Sequence, residues 1–357
     1  MDSFASRHPV GYAHASVSAC VITMPIRSLL LAATLLFALT VSAESPNSDT
    51  CSRERLAAQG GAFTTARDGV RIWYKLAGRA DAPVIAYLHG GPGYNAFTFE
   101  KSAGPFLEQH FRVLYFDQRG CGRSTFDGPE ERFGMQATIA DLEQLRTVAQ
   151  TDRLILAGHS FGGAVAAEYA ARYPAHVAAI VMIDTAHDLP RALDYQVEHI
   201  DAIAGTAFPA KAAEIHEIAG SSDPAMDKLA KMYGAIGRLP LQRQLHFAER
   251  ENQERMEALD HESGLLSCTS AKAVQALAAE GYLAKPLPNL TRRLEAPTLL
   301  IAGRASHVIG ETNIRRAAEV WGARLEWLDA GHFAYFEQPQ AFAEMIDRFV
   351  KESVGKK

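Results

Sequence analysis

Short, continuous runs of apolar residues dominate the chain between about residues 84 and 183. Such runs are typical of strands buried on both faces, as in a parallel sheet. Helical stretches at 138–149 and 163–172 separate the later runs, so the order of elements is β-α-β-α. The predicted strands are a hairpin of 62–66 and 70–76, followed by buried strands at 84–88, 112–116, 154–157 and 177–183.

From about residue 188 to residue 290 the pattern changes to charged, amphipathic helices punctuated by prolines. Strand patterns then return at 298–302 and 325–328, with helices at 314–320 and 340–351. We therefore predict an α/β fold: a mostly parallel sheet flanked by helices, with a helical cap inserted after the sixth strand. The predicted core consists of 61–187 and 291–357, and the predicted cap of 188–290.

The N-terminal 43 residues have the pattern of a secretory signal peptide. Arg27 precedes an apolar stretch at 28–41, and small residues stand before Glu44. The stretch is short for a membrane span, although an uncleaved anchor is the alternative. We expect an exported protein, periplasmic or secreted, with no stable membrane span after cleavage at residue 43, and a linker over 44–60. Met24 is a candidate for the true start.

Composition narrows the range of partners and cofactors. The net charge is −5 and no basic run occurs, which argues against nucleic acid as a partner. Cys51, Cys121 and Cys268 follow the signal, and no Cys/His spacing indicates a metal site. We expect no metal and no cofactor. A bond between Cys51 and Cys268 remains an open alternative.

The sequence GHSFG at 158–162 directly follows a predicted buried strand and precedes a helix rich in small residues. This strand–turn–helix context is what a nucleophile elbow requires, because the serine must sit on a sharp turn with its hydroxyl exposed. The motif predicts that Ser160 is the nucleophile of a serine hydrolase. His332, on a loop after the last predicted strand, is the predicted base, since it follows the serine in the chain order of such enzymes.

Two further polar segments follow predicted strands. The turn HGGPG at 89–93 could aim the backbone N–H of Gly91 at a developing oxyanion, together with the N–H of Phe161. The alternative is a tight turn that merely needs glycine. The segment DQRGCGRS at 117–124 is expected to brace this turn rather than contact the substrate.

The combination of HGGPG, DQRGCGRS, GHSFGG and GHF, with a cap between the last two, resembles the proline iminopeptidase-like branch of the α/β-hydrolases. The resemblance covers residues 62–352 and is weakest in the cap. It implies the α/β-hydrolase fold and hydrolysis of an N-terminal proline, or a similar small residue, from a small peptide or amide.

One departure from that family concerns the acid of the catalytic triad. The family carries an aspartate in a G-R-x-D pattern after the strand at 298–302, whereas this chain has Ser306 in that place. A hydroxyl cannot stabilise an imidazolium as a carboxylate does. Asp184, just after the sixth strand, is the predicted substitute. Glu311 and the absence of any acid are the alternatives.

The second departure lies in the cap. Proline-specific members present tryptophans and glutamates there, but residues 189–290 contain no tryptophan. By helical spacing one face carries Glu251, Glu254 and Glu257 or Ala258, and this face could attract the ammonium group of a substrate. Arg250 and Arg255 could instead pair with them on a solvated face.

We therefore expect a cofactor-free serine hydrolase that forms an acyl-enzyme. The first expectation is an aminopeptidase that acts on short peptides. An esterase, lactonase or amidase on a small substrate is the alternative, because an alkoxide leaves more readily than an amine. A weak hydrolase-fold binding protein is the second alternative.

Overall fold

The computed structural model describes Cys51 and residues 60–124, 128–129, 132–282 and 285–354. The predicted signal peptide and most of the predicted linker lie outside these described residues. Within the described part of the chain, no helix is both long and apolar enough to cross a membrane.

An eight-stranded sheet forms the centre of the molecule, in the order β1-β2-β4-β3-β5-β6-β7-β8. The pairs β1–β2 and β2–β4 are antiparallel, and all other neighbouring pairs are parallel. The predicted mostly parallel sheet is therefore confirmed. The strands are β1 (Ala62–Thr65), β2 (Arg71–Gly78), β3 (Val84–Leu88), β4 (Arg112–Phe116), β5 (Leu154–His159), β6 (Val177–Ile183), β7 (Thr298–Gly303) and β8 (Arg324–Leu328).

Helices cover both faces of the sheet and also fill the insertion between β6 and β7. Two short helices, α1 and α2, lie between β3 and β4, where the sequence had predicted none. The helices are α1 (Phe97–Lys101), α2 (Gly104–Leu107), α3 (Met135–Val148), α4 (Phe161–Arg172), α5 (Leu189–Ala207), α6 (Ala212–Gly220), α7 (Ala225–Ile236), α8 (Arg238–His246), α9 (Arg250–Ser263), α10 (Ala271–Ala279), α11 (Glu311–Trp321), α12 (Ala334–Glu337) and α13 (Pro339–Ser353).

The central strands are apolar throughout because both of their faces are covered. Successive side chains of a strand point to opposite faces. In β3, Ala86 and Leu88 therefore enter one apolar core with α3, α4 and α11. Ile85 and Tyr87 enter a second core with α1, α2, α12 and α13. Parallel strands buried in this way have a shared carboxyl edge, where their following loops meet.

The insertion between β6 and β7 packs on the first core through buried side chains of α5, α7 and α8. Polar contacts also join it to loops of the sheet; among them, Thr269 Oγ1 donates to the Gly93 carbonyl (2.8 Å), and Ser270 N donates to the Gly120 carbonyl (2.7 Å). A disulfide joins Cys51 to Cys268, with Cα atoms 5.5 Å apart, which answers the open question of their pairing. Cys121 is a buried free thiol.

Candidate active site

Ser160 occupies the turn between β5 and α4, as the motif predicted. Its backbone has φ 51° and ψ −118°, in a region that residues with a side chain rarely adopt. Hydrogen bonds hold the turn: Ser160 N donates to the Ile183 carbonyl (2.9 Å), and Gly163 N donates to the Ser160 carbonyl (3.0 Å). A Cβ atom at Gly162 would clash with the Leu88 carbonyl oxygen, so the close approach of helix and strand requires glycine there.

His332 and Asp184 lie in contact at the same edge of the sheet. His332 Nδ1 lies 3.0 Å from Asp184 Oδ1, and both side chains are buried. Asp184 directly follows β6 and has a positive φ of 44°. His332 lies after β8, and its backbone N–H donates to the His246 carbonyl (2.7 Å). Ser160 and His332 line one cavity, so the predicted nucleophile, base and acid are brought together.

Ser306, which stands where the family carries its aspartate, contacts Asp184. Its hydroxyl donates to Asp184 Oδ1 (2.9 Å), and Gly303 N donates to Asp184 Oδ2 (3.0 Å). With His332, these groups give the fully buried carboxylate three hydrogen-bond partners. Glu311, the alternative acid, instead begins α11 and pairs with Arg315 on the surface (2.6 Å).

Burial sets the charges of this pair. It raises the pKa of Asp184 to about 6, although the hydrogen bonds from Gly303 and Ser306 oppose the increase. It also lowers the pKa of the His332 imidazole well below its ordinary value. Above pH 6 the carboxylate is therefore ionised beside a neutral imidazole. A neutral imidazole with its Nδ1–H directed to a carboxylate keeps Nε2 free to accept a proton.

Gly91 and Phe161 both lie beside Ser160, and all three line one small cavity. Phe161 is the first residue of α4, where backbone N–H groups have no partner within the helix. Gly91 has a φ of 120°, which favours glycine. Gln118 holds the loop that contains Gly91 through two hydrogen bonds to His89. The Gln118 backbone N–H donates to His89 Nε2 (3.0 Å), and the Gln118 side-chain amide donates to the His89 carbonyl (2.8 Å).

The charged residues of the segment 117–124 are buried in ion pairs rather than directed at a cavity. Arg123 Nε lies 2.8 Å from Asp117 Oδ2, and neither side chain is exposed. Asp117 also accepts a hydrogen bond from Ala96 N (2.8 Å), in the loop that follows the HGGPG turn. Arg119 pairs with buried Asp141 (2.6 Å). Burying unpaired charges would be costly, so these pairs fix the loop as a unit.

A cavity of about 220 Å³ lies over Ser160 and His332, between the sheet and the cap helices. Its walls are mainly apolar, with Leu189, Leu193, Met226 and Met256 among the lining residues. Three charged side chains also line it: Arg238, Glu257 and Asp260. The Tyr94 hydroxyl donates to Asp260 Oδ1 (2.7 Å), and burial raises the pKa of Asp260 to about 6.

Glu251 and Glu254 do not line this cavity. Both are exposed on α9, and Glu254 pairs with Arg250 (2.6 Å). Helical periodicity explains the difference, because the inward face of α9 is defined by Met256 together with Glu257 and Asp260. At 100° per residue, Glu251 and Glu254 point away from that face. We therefore do not propose them as substrate-binding residues.

Sequence reasoning missed Tyr94, Asp260 and Arg238 as cavity residues. Tyr94 directly follows the HGGPG turn, which is the one signal that could have found it. The other two lie in the cap, where no motif marks the inward face. Among the described residues, no group of three or more His, Cys, Asp or Glu side chains is placed to hold a metal ion.

Comparison with known proteins identifies the class. The family model of the alpha/beta hydrolase fold matches residues 83–339. The chain therefore belongs to the α/β-hydrolase fold family, and the predicted fold class is confirmed. Among solved structures it is similar to a proline iminopeptidase-related protein from Thermus thermophilus, with a TM-score of 0.69 and 23% identity over 83% of this chain and 98% of that chain. At this identity the likeness shows the fold alone.

Curated relatives match a shorter region. Proline iminopeptidase PfmaB of Pestalotiopsis fici is 31% identical over 121 residues, which are 33% of this chain and 42% of that protein. The bifunctional esterase/perhydrolase DCH of Acinetobacter calcoaceticus is 39% identical over 114 residues, which are 31% of this chain and 40% of that protein. The matches thus span about two fifths of these relatives. The resemblance to the proline iminopeptidase branch is confirmed.

Proposed function

We propose that this chain is an exported serine hydrolase in which Ser160 is the nucleophile, His332 the base and Asp184 the acid. The contact between Asp184 and His332 (3.0 Å) carries the proposal, because it supplies the carboxylate that Ser306 cannot. The alternative of a binding protein with an inactive hydrolase core rested on the lack of a triad carboxylate, and this contact supplies one. The proposed export rests on the N-terminal sequence pattern alone.

In the proposed reaction, Ser160 Oγ forms a bond to the substrate carbonyl carbon and its proton moves to His332 Nε2. The N–H groups of Gly91 and Phe161 stabilise the oxyanion. When the tetrahedral intermediate collapses, the bond to the leaving amine breaks and His332 returns the proton to that amine. Water then attacks the acyl carbon while His332 takes its proton; the bond from that carbon to Ser160 Oγ breaks, His332 returns the proton to Ser160 Oγ, and the acid product leaves. Asp184 holds the Nδ1–H of His332 and stabilises the imidazolium in each step.

We propose an aminopeptidase that releases proline or another small N-terminal residue. Glu257 and Asp260 would hold the substrate's ammonium group, since both line the cavity over Ser160. The mainly apolar walls suit an apolar side chain such as that of proline. The similarity to a proline iminopeptidase supports this choice.

Ester hydrolysis is the second candidate. Its support is the similarity to an esterase/perhydrolase, at 39% identity over 114 residues. The mixed charge of the cavity, with Arg238 beside the two carboxylates, does not require an amine as ligand.

The test compares prolyl and alanyl arylamides with short-chain aryl esters, using the purified protein and Ser160→Ala as the blank. We expect turnover of the arylamides that is abolished in Ser160→Ala. Activity on esters alone would favour the second candidate. Covalent labelling by a fluorophosphonate should occur in the wild type and be absent in Ser160→Ala. Labelling in neither protein, with no turnover, would contradict the serine-hydrolase proposal itself.

A further inference from the structure

A second cavity also borders Ser160, next to Phe161. Its volume is about 70 Å³, roughly a third of the 220 Å³ of the larger cavity. Gly91, Pro92, Ser160 and Leu189 line both cavities. A carbonyl bound at Ser160 therefore adjoins two cavities, which could receive the acyl part of a substrate and its leaving group.

The polar groups of the small cavity differ from those of the larger one. Its described lining includes Lys285 and His187 but no carboxylate side chain, whereas the larger cavity contains Glu257 and Asp260. His187 is 9% exposed. Its Nδ1 is buried and has no hydrogen-bond partner among the described residues. A buried polar atom without a partner is uncommon in a folded protein, and a bound ligand is one explanation.

The neutral form of the His187 ring can donate a hydrogen bond from Nδ1. Burial lowers its pKa, with Arg316 and Arg191 acting in the same direction and Asp188 opposing them. The ring is therefore neutral near pH 7, and the tautomer with its proton on Nδ1 can donate one hydrogen bond from this nitrogen. A neutral donor together with the ammonium group of Lys285 is a pair that a carboxylate can satisfy.

We propose that the small cavity is the subsite of the leaving group and that His187 and Lys285 bind its free carboxylate, so that the preferred substrates are dipeptides. This inference rests on the proposed aminopeptidase function. The ammonium group of the dipeptide lies with Glu257 and Asp260, the scissile carbonyl at Ser160, and the C-terminal carboxylate in the small cavity. The opposite charges at the two ends fix the direction in which the dipeptide binds.

The size of the small cavity limits the second residue. Leu287, Leu290 and Ile309 line it together with the Tyr282 ring, so a short side chain is favoured next to the carboxylate. In a longer peptide or a dipeptide amide, the second residue has no free carboxylate to offer. Its neutral carbonyl would leave Lys285 without an anionic partner.

The test measures kcat and KM for prolyl-glycine and for prolyl-glycinamide, which differ only in the terminal carboxylate. We expect wild-type kcat/KM to be higher for the acid than for the amide. In Lys285→Gln the ratio of kcat/KM for the acid to kcat/KM for the amide should fall about three- to fivefold, the size of effect typical of an exposed ion pair. In His187→Leu it should fall about tenfold, since a hydrogen bond to a charged group is lost. Lys285→Arg should retain most of the preference.

Lys211→Gln is the matched control, because it removes the same charge from an exposed lysine that lines neither cavity. An acid-to-amide ratio near one in the wild type would overturn the dipeptide inference, and so would equal ratios in Lys285→Gln and Lys211→Gln. Turnover of prolyl arylamides in the same preparation would show that the proposed aminopeptidase function survives that result. Loss of turnover on all three substrates would contradict both proposals.

Discussion

Ser306 Oγ donates a hydrogen bond to Asp184 Oδ1, the same oxygen that lies 3.0 Å from His332 Nδ1. The residue at the family's usual acid position thus donates to the proposed acid, which follows the neighbouring strand. The strands β6 and β7 are parallel neighbours in the sheet, so their following loops lie side by side. A carboxylate after either strand can therefore approach the same imidazole, and Ser306 is a hydrogen-bond partner of the proposed acid.

We expect Asp184→Asn to reduce kcat by about four orders of magnitude. The amide cannot stabilise an imidazolium, and its NH₂ group can favour the wrong tautomer of His332; the same change in a serine protease triad costs about 10⁴. Initial rates on the best arylamide or ester substrate measure this effect. Glu311→Gln is the control, since Glu311 pairs with Arg315 on the surface and should keep near-wild-type rates. Wild-type turnover in Asp184→Asn would contradict the assignment of the acid.

We expect Ser306→Ala to shift the acidic limb of the pH profile of kcat/KM to higher pH by about one unit. Activity requires the Asp184–His332 pair with an ionised carboxylate, so it falls as pH decreases through the apparent pKa of the pair. The Ser306 hydroxyl lowers the pKa of Asp184. Removing this donor raises that pKa, and activity is then lost at a higher pH. Ser306→Thr, which keeps the hydroxyl, should retain the wild-type limb. Identical profiles in all three proteins would show that the contact does not tune the pair.

The sequence predicted most of the sheet because strands buried on both faces appear as continuous apolar runs. The predicted bounds of β3, β4 and β6 match those in the structure. Helices α1 and α2 were missed, since 97–107 is rich in aromatic residues without a clear helical period. The strand-turn-helix context located Ser160, and chain order located His332.

The contacts that could not be predicted depend on spatial order rather than sequence order. Nothing in the sequence shows that Ser306 donates to Asp184, because 122 residues separate them and only the β6–β7 pairing brings them together. The orientation of α9 was likewise left open by the sequence, and the structure agrees with the alternative of a solvated face, since Glu251 and Glu254 are exposed and Glu254 pairs with Arg250. Charge spacing selected Glu251 and Glu254, whereas the burial of Gln253 and Met256 decides which side faces the cavity.

Exchanging the residues at positions 184 and 306 tests whether the triad carboxylate can follow either β6 or β7. Asp184→Ser alone should lose about as much activity as Asp184→Asn, because no carboxylate remains beside His332. Adding Ser306→Asp restores a carboxylate in the loop after β7, and we expect at least a tenfold recovery of kcat over the single variant. Asp184→Ser also makes room for the new side chain and avoids placing two carboxylates together. A double variant that folds, as shown by thermal unfolding, but recovers nothing would contradict this equivalence.

Glu257→Gln and Asp260→Asn test the proposed ammonium subsite. Each change removes a carboxylate that lines the cavity, and we expect KM for prolyl arylamide to rise about tenfold while kcat changes little. Because burial raises the pKa of Asp260 to about 6, wild-type KM should also rise as pH falls below 6, when this carboxylate gains a proton. Asp260→Asn should lack that part of the pH dependence.

Glu254→Gln is the matched control for these variants, since it removes the same charge from an exposed position on the same helix. We expect its KM to remain near the wild-type value. An aryl acetate, which has no ammonium group, should be hydrolysed with similar KM by the wild type and by Glu257→Gln. If KM for the ester rises as much as KM for the arylamide, the carboxylates shape the cavity without recognising an amine. The proposed preference for a free N-terminus would then be wrong, although this result would leave the proposed roles of Ser160 and His332 unchanged.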